Sequence, residues 1–153
     1  MMAANIDGGC YHTTCSRHTA MNRIVNEFNA IANGGQYDDA FALAARTNRP
    51  IVVVFTAGWC GHCQTYGANV LTNARVVEAS RRFVMVRVDI DQRRDLNQRY
   101  GREGTYVPRT MFFRPDGTAR PELKAPGRGD YIYFLNENDP SDLLGLMDRA
   151  LRG

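Results

Sequence analysis

Trp59-Cys60-Gly61-His62-Cys63 is the strongest chemical signal in the chain, two cysteines separated by a glycine and a histidine. A C-x-x-C pair can open and close as a redox couple, supply half of a tetrahedral zinc site, or form a structural cross-link. Zinc would need a second ligand pair on another element, and no other C-x-x-C or H-x-x-H occurs in the domain. Redox chemistry needs a strand that ends just before the pair and a helix that starts at it. The first sulfur then meets unpaired backbone N–H groups and the positive end of the helix dipole, which stabilise a thiolate.

The flanking residues supply that context. Ile51-Val52-Val53-Val54-Phe55 is apolar throughout and mostly β-branched, as expected of a central strand covered on both faces. The chain turns through Ala57-Gly58-Trp59, and Cys63, Tyr66, Val70, Ala74 and Val77 then fall on one helical face. Phe83-Val84-Met85-Val86-Arg87-Val88 reads as the next strand, making a βαβ unit with a parallel sheet.

Cys60 is therefore expected at the helix N-terminus as the more accessible, attacking thiol, and Cys63 one turn deeper as the resolving thiol. Cysteines in such motifs titrate at roughly 3.5–7.5 instead of about 8.5. A protonated His62 would favour the reduced thiolate and make the disulfide a stronger oxidant; the alternative is an exposed histidine without a role. Trp59, the single tryptophan, is expected to shield the sulfur and offer an apolar surface to unfolded substrate, as well as to pack at the entrance.

Residues 1–18 have no apolar periodicity and read as a flexible arm, and residues 19–36 read as an extra helix and linker ending at Gly34-Gly35. Residues 37–153 form the domain. It opens on a short helix with Asp38-Asp39 in its first turn, ended by Arg49-Pro50. Asp91 to Tyr100 predicts a short surface helix. Arg109 to Phe113 and the segment from Thr118 predict a hairpin about Pro115-Asp116-Gly117. Pro140 opens a last helix capped by Asn138 or Asp139, with Leu143, Leu144, Met147, Ala150 and Leu151 apolar.

The chain's 153 residues suit one domain with an arm, and 44% hydrophobic with 23% charged residues exclude wholesale disorder. Its 19 basic and 16 acidic residues give a charge of +3. The basic residues, all arginine except Lys124, are scattered, so no nucleic-acid partner is expected. No apolar run approaches the roughly 20 residues of a membrane span. The arm gathers Cys10, His12, Cys15 and His18: a candidate metal set, a Cys10–Cys15 disulfide, or free thiols.

The cysteine motif in its strand–helix setting resembles the active site of the thioredoxin superfamily, in the form used by protein disulfide isomerase domains. Tyr106-Val107-Pro108-Arg109-Thr110, ahead of the hairpin strand, is similar to the segment in which those folds carry a cis-proline facing the cysteines. The runs Phe83 to Val86, Val107 to Arg109, Arg114 to Gly117 and Tyr131 to Phe134 resemble the small endoplasmic-reticulum thioredoxin-domain protein and its anterior-gradient relatives. The resemblance extends from about Tyr37 to Leu151. It implies an α/β thioredoxin fold, a central mixed β-sheet flanked by helices, with an extra N-terminal helix.

The resemblance further implies a thiol–disulfide oxidoreductase, with oxidase or isomerase activity favoured over a client-binding protein of low turnover or a cytosolic reductase. Val107 and Pro108 become substrate-binding residues beside Trp59, because a cis X-Pro bond leaves the preceding residue's backbone free to pair with an extended peptide. Arg128, in Pro126-Gly127-Arg128, becomes a candidate modulator of the buried thiol, against the alternative of a solvated loop arginine. Thioredoxins and disulfide isomerase domains usually place a buried acid six residues before the first cysteine, where this chain has Val54 and the anterior-gradient-like subgroup is also apolar. Neither cofactor nor resident metal is expected. The expected partners are disulfide-containing or unfolded client proteins, with glutathione or an upstream redox partner, and the protein is expected to act as a monomer away from membranes. The resemblance points to the endoplasmic reticulum lumen. The lack of an apolar stretch in residues 1–19 and of a retention signal at Arg152-Gly153 points to the cytoplasm if the chain is full length.

Overall fold

The computed structural model describes residues 36–153; the arm with Cys10, His12, Cys15 and His18 and the helix expected within 19–36 lie outside them. Helix α1 spans Gln36–Thr47, with Asp38 and Asp39 in its first turn and Arg46 in its last, each sign facing the favourable dipole end. Asn48 at φ 52° turns the chain into Pro50 and strand β1, Ile51–Thr56. Helix α2, Gly61–Tyr66, follows its N-cap Cys60 and contains Cys63, and Gly67–Leu71 continues it as a π-helical turn. Helix α3 (Ala74–Ser80), β2 (Val84–Asp89), α4 (Arg94–Arg99), β3 (Arg109–Phe113) and α5 (Ser141–Arg152) follow.

Among the described residues the strands form a mixed sheet in the order β2-β1-β3. β1 runs parallel to β2, from Ile51 opposite Val84 to Thr56 opposite Asp89, as the βαβ pattern predicts. It runs antiparallel to β3, from Ile51 opposite Phe113 to Phe55 opposite Arg109. All six β1 residues are buried, which explains why that strand lacks a polar alternation. One face packs Ile51, Val53 and Phe55 on α1 residues Tyr37, Ala40 and Ala44, in a group that also holds Cys60 and Cys63. The other packs Val52 and Val54 on Tyr66, Val70, Leu143 and Met147. Side chains of this size contribute roughly 1.5–3 kcal/mol each on full burial, so β1 holds the core together from its centre.

Two expectations need correction. The helix expected from Cys63 to Val77 is broken at Thr72 and Asn73. Asn73 turns extended (φ −60°, ψ 134°) and its side chain accepts the Arg75 N–H, an Asn N-cap that begins α3 anew. The hairpin keeps its turn, where Arg114 N donates to Thr118 O at 2.8 Å and Gly117 takes φ 88°, but the returning arm pairs only through Phe113 and Ala119. That register sets Pro121 opposite Met111, and a proline has no N–H to extend the ladder. α5 begins one residue later than expected, at Ser141 with Pro140 itself at the N-cap, and Asp139 accepts the Ser141 N–H at 2.7 Å. No helix among the described residues is long and apolar enough to cross a membrane.

Candidate active site

Cys60 is the N-cap of α2, with extended backbone at φ −86° and ψ 107°. Its carbonyl accepts the Gln64 N–H at 3.2 Å and its sulfur accepts the Cys63 N–H at 3.1 Å. Cys63 lies one turn on, with its Cα 5.2 Å from that of Cys60, and the two form a disulfide. The two cysteines are equally covered at 4% exposure, so Cys60 is not the more accessible residue expected from its position. The 104–108 loop comes in over it: the Val107 carbonyl oxygen lies 3.7 Å from Cys60 Sγ, and the Val107–Pro108 bond is cis.

That loop is held from two sides. Gly104 takes φ 121°, and a Cβ there would lie 2.7 Å from the Tyr106 ring, so only glycine fits. The Tyr106 hydroxyl accepts the Tyr133 N–H at 2.9 Å, and burial pushes its own titration upward, so it stays a phenol. Arg109, fully buried, donates to Gly104 O at 2.8 Å and Asn97 Oδ1 at 2.7 Å and stacks 4.6 Å over Phe55. Neither acceptor is a carboxylate, and burial lowers its titration to about 10.

Trp59 is 69% exposed beside the disulfide, its indole N–H donating to Asp91 at 2.8 Å. His62 Nδ1 contacts both carboxylate oxygens of Glu137 at 2.8 and 2.9 Å, and its ring meets Phe134 edge to face. Arg128 sits 5.8 Å over the same Phe134 ring. His62, Val107, Arg128, Phe134, Tyr106 and Tyr131 line an open pocket of about 540 Å³, together with Gly127. Val54 is buried in the core group of Tyr66 and Val70 and not in that of the cysteines.

The sequence thus placed Trp59, Cys60, His62, Cys63, Val107, Pro108 and Arg128 around one centre. It missed Glu137, Arg109 and Asp91. Glu137 lies 75 positions from His62 in an irregular segment, where neither period nor spacing marks it. Arg109 could have been found, since a charged residue opening a strand that runs into Met111, Phe112 and Phe113 calls for a buried partner. No group of three or more His, Cys, Asp or Glu residues among the described residues could hold a metal ion.

The family model for thioredoxin-like proteins matches residues 31–115. The chain belongs to the thioredoxin-like family. This thioredoxin-like chain is 32% identical over 102 residues to the protein disulfide isomerase-like 2-2 of Oryza sativa subsp. japonica, covering 65% of itself and 27% of that protein. It is 30% identical over 120 residues to the anterior gradient protein 3 of Mus musculus, covering 76% of itself and 68% of the relative. The chain therefore spans about a quarter of the rice protein's length. Among solved structures, a disulphide isomerase of Xylella fastidiosa Temecula1 superposes with a TM-score of 0.54 at 26% identity, covering 76% of this chain and 87% of the other. Fold and family agree with the thioredoxin-like expectation.

Proposed function

We propose that this thioredoxin-like protein is a thiol–disulfide oxidoreductase of protein disulfides, acting as an oxidase or isomerase through Cys60 and Cys63. The observation that carries this reading is the disulfide at the N-cap of α2 with the Val107 carbonyl 3.7 Å from Cys60 Sγ. A client thiolate attacks Cys60 Sγ, a client–Cys60 bond forms, and Cys63 leaves with the electron pair. A second client thiolate then attacks the client sulfur and releases Cys60, so two electrons pass from client to protein and the client gains the disulfide. The Cys63 N–H and the open end of α2 stabilise negative charge at Cys60.

Trp59, Val107 and Pro108 receive the client backbone and its apolar side chains, and His62 tunes the couple. Arg128 acts on the pocket wall, since reaching the thiol would require leaving the Phe134 ring. The clients are unfolded or disulfide-bearing proteins, with glutathione or an upstream redox partner resetting the couple. Residues 37–153 carry this activity. The endoplasmic reticulum lumen is the compartment that fits, because disulfides persist in oxidising surroundings.

Cys63→Ser should trap mixed disulfides with clients while Cys60→Ser traps none. Trapping by both variants or by neither would overturn the assignment. A potential of the couple near ~−180 mV supports oxidase or isomerase action, and one near ~−270 mV a reductase. A second reading, a client-binding protein with low turnover, is favoured by Val54, an apolar residue where thioredoxins and disulfide isomerase domains usually carry a proton-accepting acid. Client binding that persists in Cys60→Ser/Cys63→Ser, with no measurable turnover of the unmodified chain, would select it.

A further inference from the structure

The Glu137 carboxylate meets His62 through one ring nitrogen only, Nδ1, with both oxygens within 2.9 Å. A carboxylate accepts and does not donate, so this contact places a proton on Nδ1. In the neutral ring the lone pair then belongs to Nε2. Glu137 is the anchored member, its side chain 19% exposed against 68% for His62. The imidazole is further braced by the Phe134 edge, at a centroid distance of 5.6 Å. That imidazole forms one wall of the pocket that also contains Val107, the residue over Cys60. The other charged or titratable groups around this pocket are Arg128, Tyr106 and Tyr131.

We propose that Glu137 is a positioning residue that fixes His62 as its Nδ1-protonated tautomer, so that Nε2 exchanges a proton with the client sulfur attacking or leaving Cys60. The proposal rests on the oxidoreductase reading above and assigns that reaction its proton carrier. In the oxidising direction a client thiol gives its proton to Nε2. Its sulfur bonds to Cys60 Sγ, the Cys60–Cys63 bond breaks, and the electron pair goes to Cys63. The imidazolium so formed stays paired with the Glu137 carboxylate. In the reducing direction the same imidazolium returns the proton to the client sulfur that departs from Cys60. A carboxylate that orients an imidazole and stabilises its cation is a general device of proton transfer. Here it sits on the client side of the disulfide, while Val54 leaves the core position without an acid.

The test follows reduction of the oxidised full chain by a dithiol peptide through fluorescence of Trp59, the single tryptophan, between pH 6 and 10. Glu137→Ala should slow the reaction about ten-fold near pH 7, with the gap closing above the peptide thiol's own ionisation near ~8.5, because a thiolate has no proton to give. Glu137→Gln, which keeps shape and an acceptor without the charge, should fall between. In a His62→Ala background, Glu137→Ala should change nothing further. Nitrogen-15 spectra of His62 in its neutral form should show Nδ1 protonated in the unmodified chain and Nε2 protonated in Glu137→Ala. Equal rates in all variants, a gap constant across pH, or an undiminished Glu137→Ala effect without His62 would overturn the proposal while leaving the oxidoreductase reading intact. An unmodified chain that the peptide does not reduce at any pH would overturn both.

Discussion

Tyr66 and Thr110 join hydroxyl to hydroxyl at 2.9 Å inside the core. Both are about 1% exposed, and Thr110 stands opposite Val54 in the β1–β3 ladder. The contact ties the helix that carries the disulfide to the strand that follows Pro108. Burial pushes the Tyr66 phenol upward, so it remains a neutral donor or acceptor. Tyr66→Phe strands the Thr110 hydroxyl and should cost about 1–3 kcal/mol, as should Thr110→Val. The double variant should cost clearly less than the sum, because no buried polar atom is left alone. Urea unfolding of the four proteins measures the coupling, and simple additivity would show that the hydroxyls do not depend on each other.

Acid should destabilise the protein through a defined set of carboxylates. The Arg93 side chain holds Asp95 at about 2, the Thr118 backbone N–H lowers Asp116, and Ser141 lowers Asp139. Each is lower in the folded state than in the unfolded chain, so the unfolded state binds more protons as pH falls. The stability these groups contribute is complete above about pH 4 and is lost as pH drops toward 2. Urea midpoints between pH 6 and 2 should fall in that window, and Asp139→Asn should make the decline shallower. A midpoint independent of pH there would contradict the assignment.

What the sequence made legible was local. β1 announced itself because a strand covered on both faces has no polar alternation to confuse the reading, and the cysteine motif followed directly from where β1 stops. The break at Asn73 was hidden because Tyr66, Val70, Ala74 and Val77 keep helical spacing across it, and a capping side chain reorients the chain without disturbing that period. The equal cover of Cys60 and Cys63 depends on a loop more than forty residues away, and Glu137 reaches His62 from a segment with no period at all. Contacts made by irregular backbone leave no signature in spacing, and the Val107 carbonyl beside Cys60 Sγ is one of them.

Arg109 should matter to both fold and exchange. Arg109→Met removes the donors to Gly104 O and Asn97 Oδ1 and should cost about 1–3 kcal/mol, the loss being softened because a desolvated cation disappears with them. Gly104 lies three residues before Val107, so a freed loop presents that carbonyl less reliably to a client. The exchange rate with a disulfide peptide should fall several-fold with the potential of the Cys60–Cys63 couple unchanged. Lost stability at an unchanged rate would confine Arg109 to the fold.

Arg128 offers the sharpest choice between two roles, client contact on the pocket wall and modulation of the buried thiol. Gly127 at φ 66° and Gly129 at φ 56° flank it, and neither has an atom within 4 Å of where a Cβ would stand, so these glycines serve the backbone bend alone. The bend delivers the guanidinium to the Phe134 ring at the pocket. If the wall position is the working one, Arg128→Ala should raise KM for a peptide substrate several-fold and leave kcat and its alkaline limb in place, because the group touches the client and not the sulfurs. Arg128→Lys should recover little, since the planar guanidinium stacks on an aromatic face where an ammonium does not. Gly127→Ala should act in the same direction through the bend, at a conformational cost of about 1–2 kcal/mol for a side chain in the left-handed region. A fall in kcat with a shifted alkaline limb in Arg128→Ala, at unchanged KM, would instead place the arginine at the thiol during turnover.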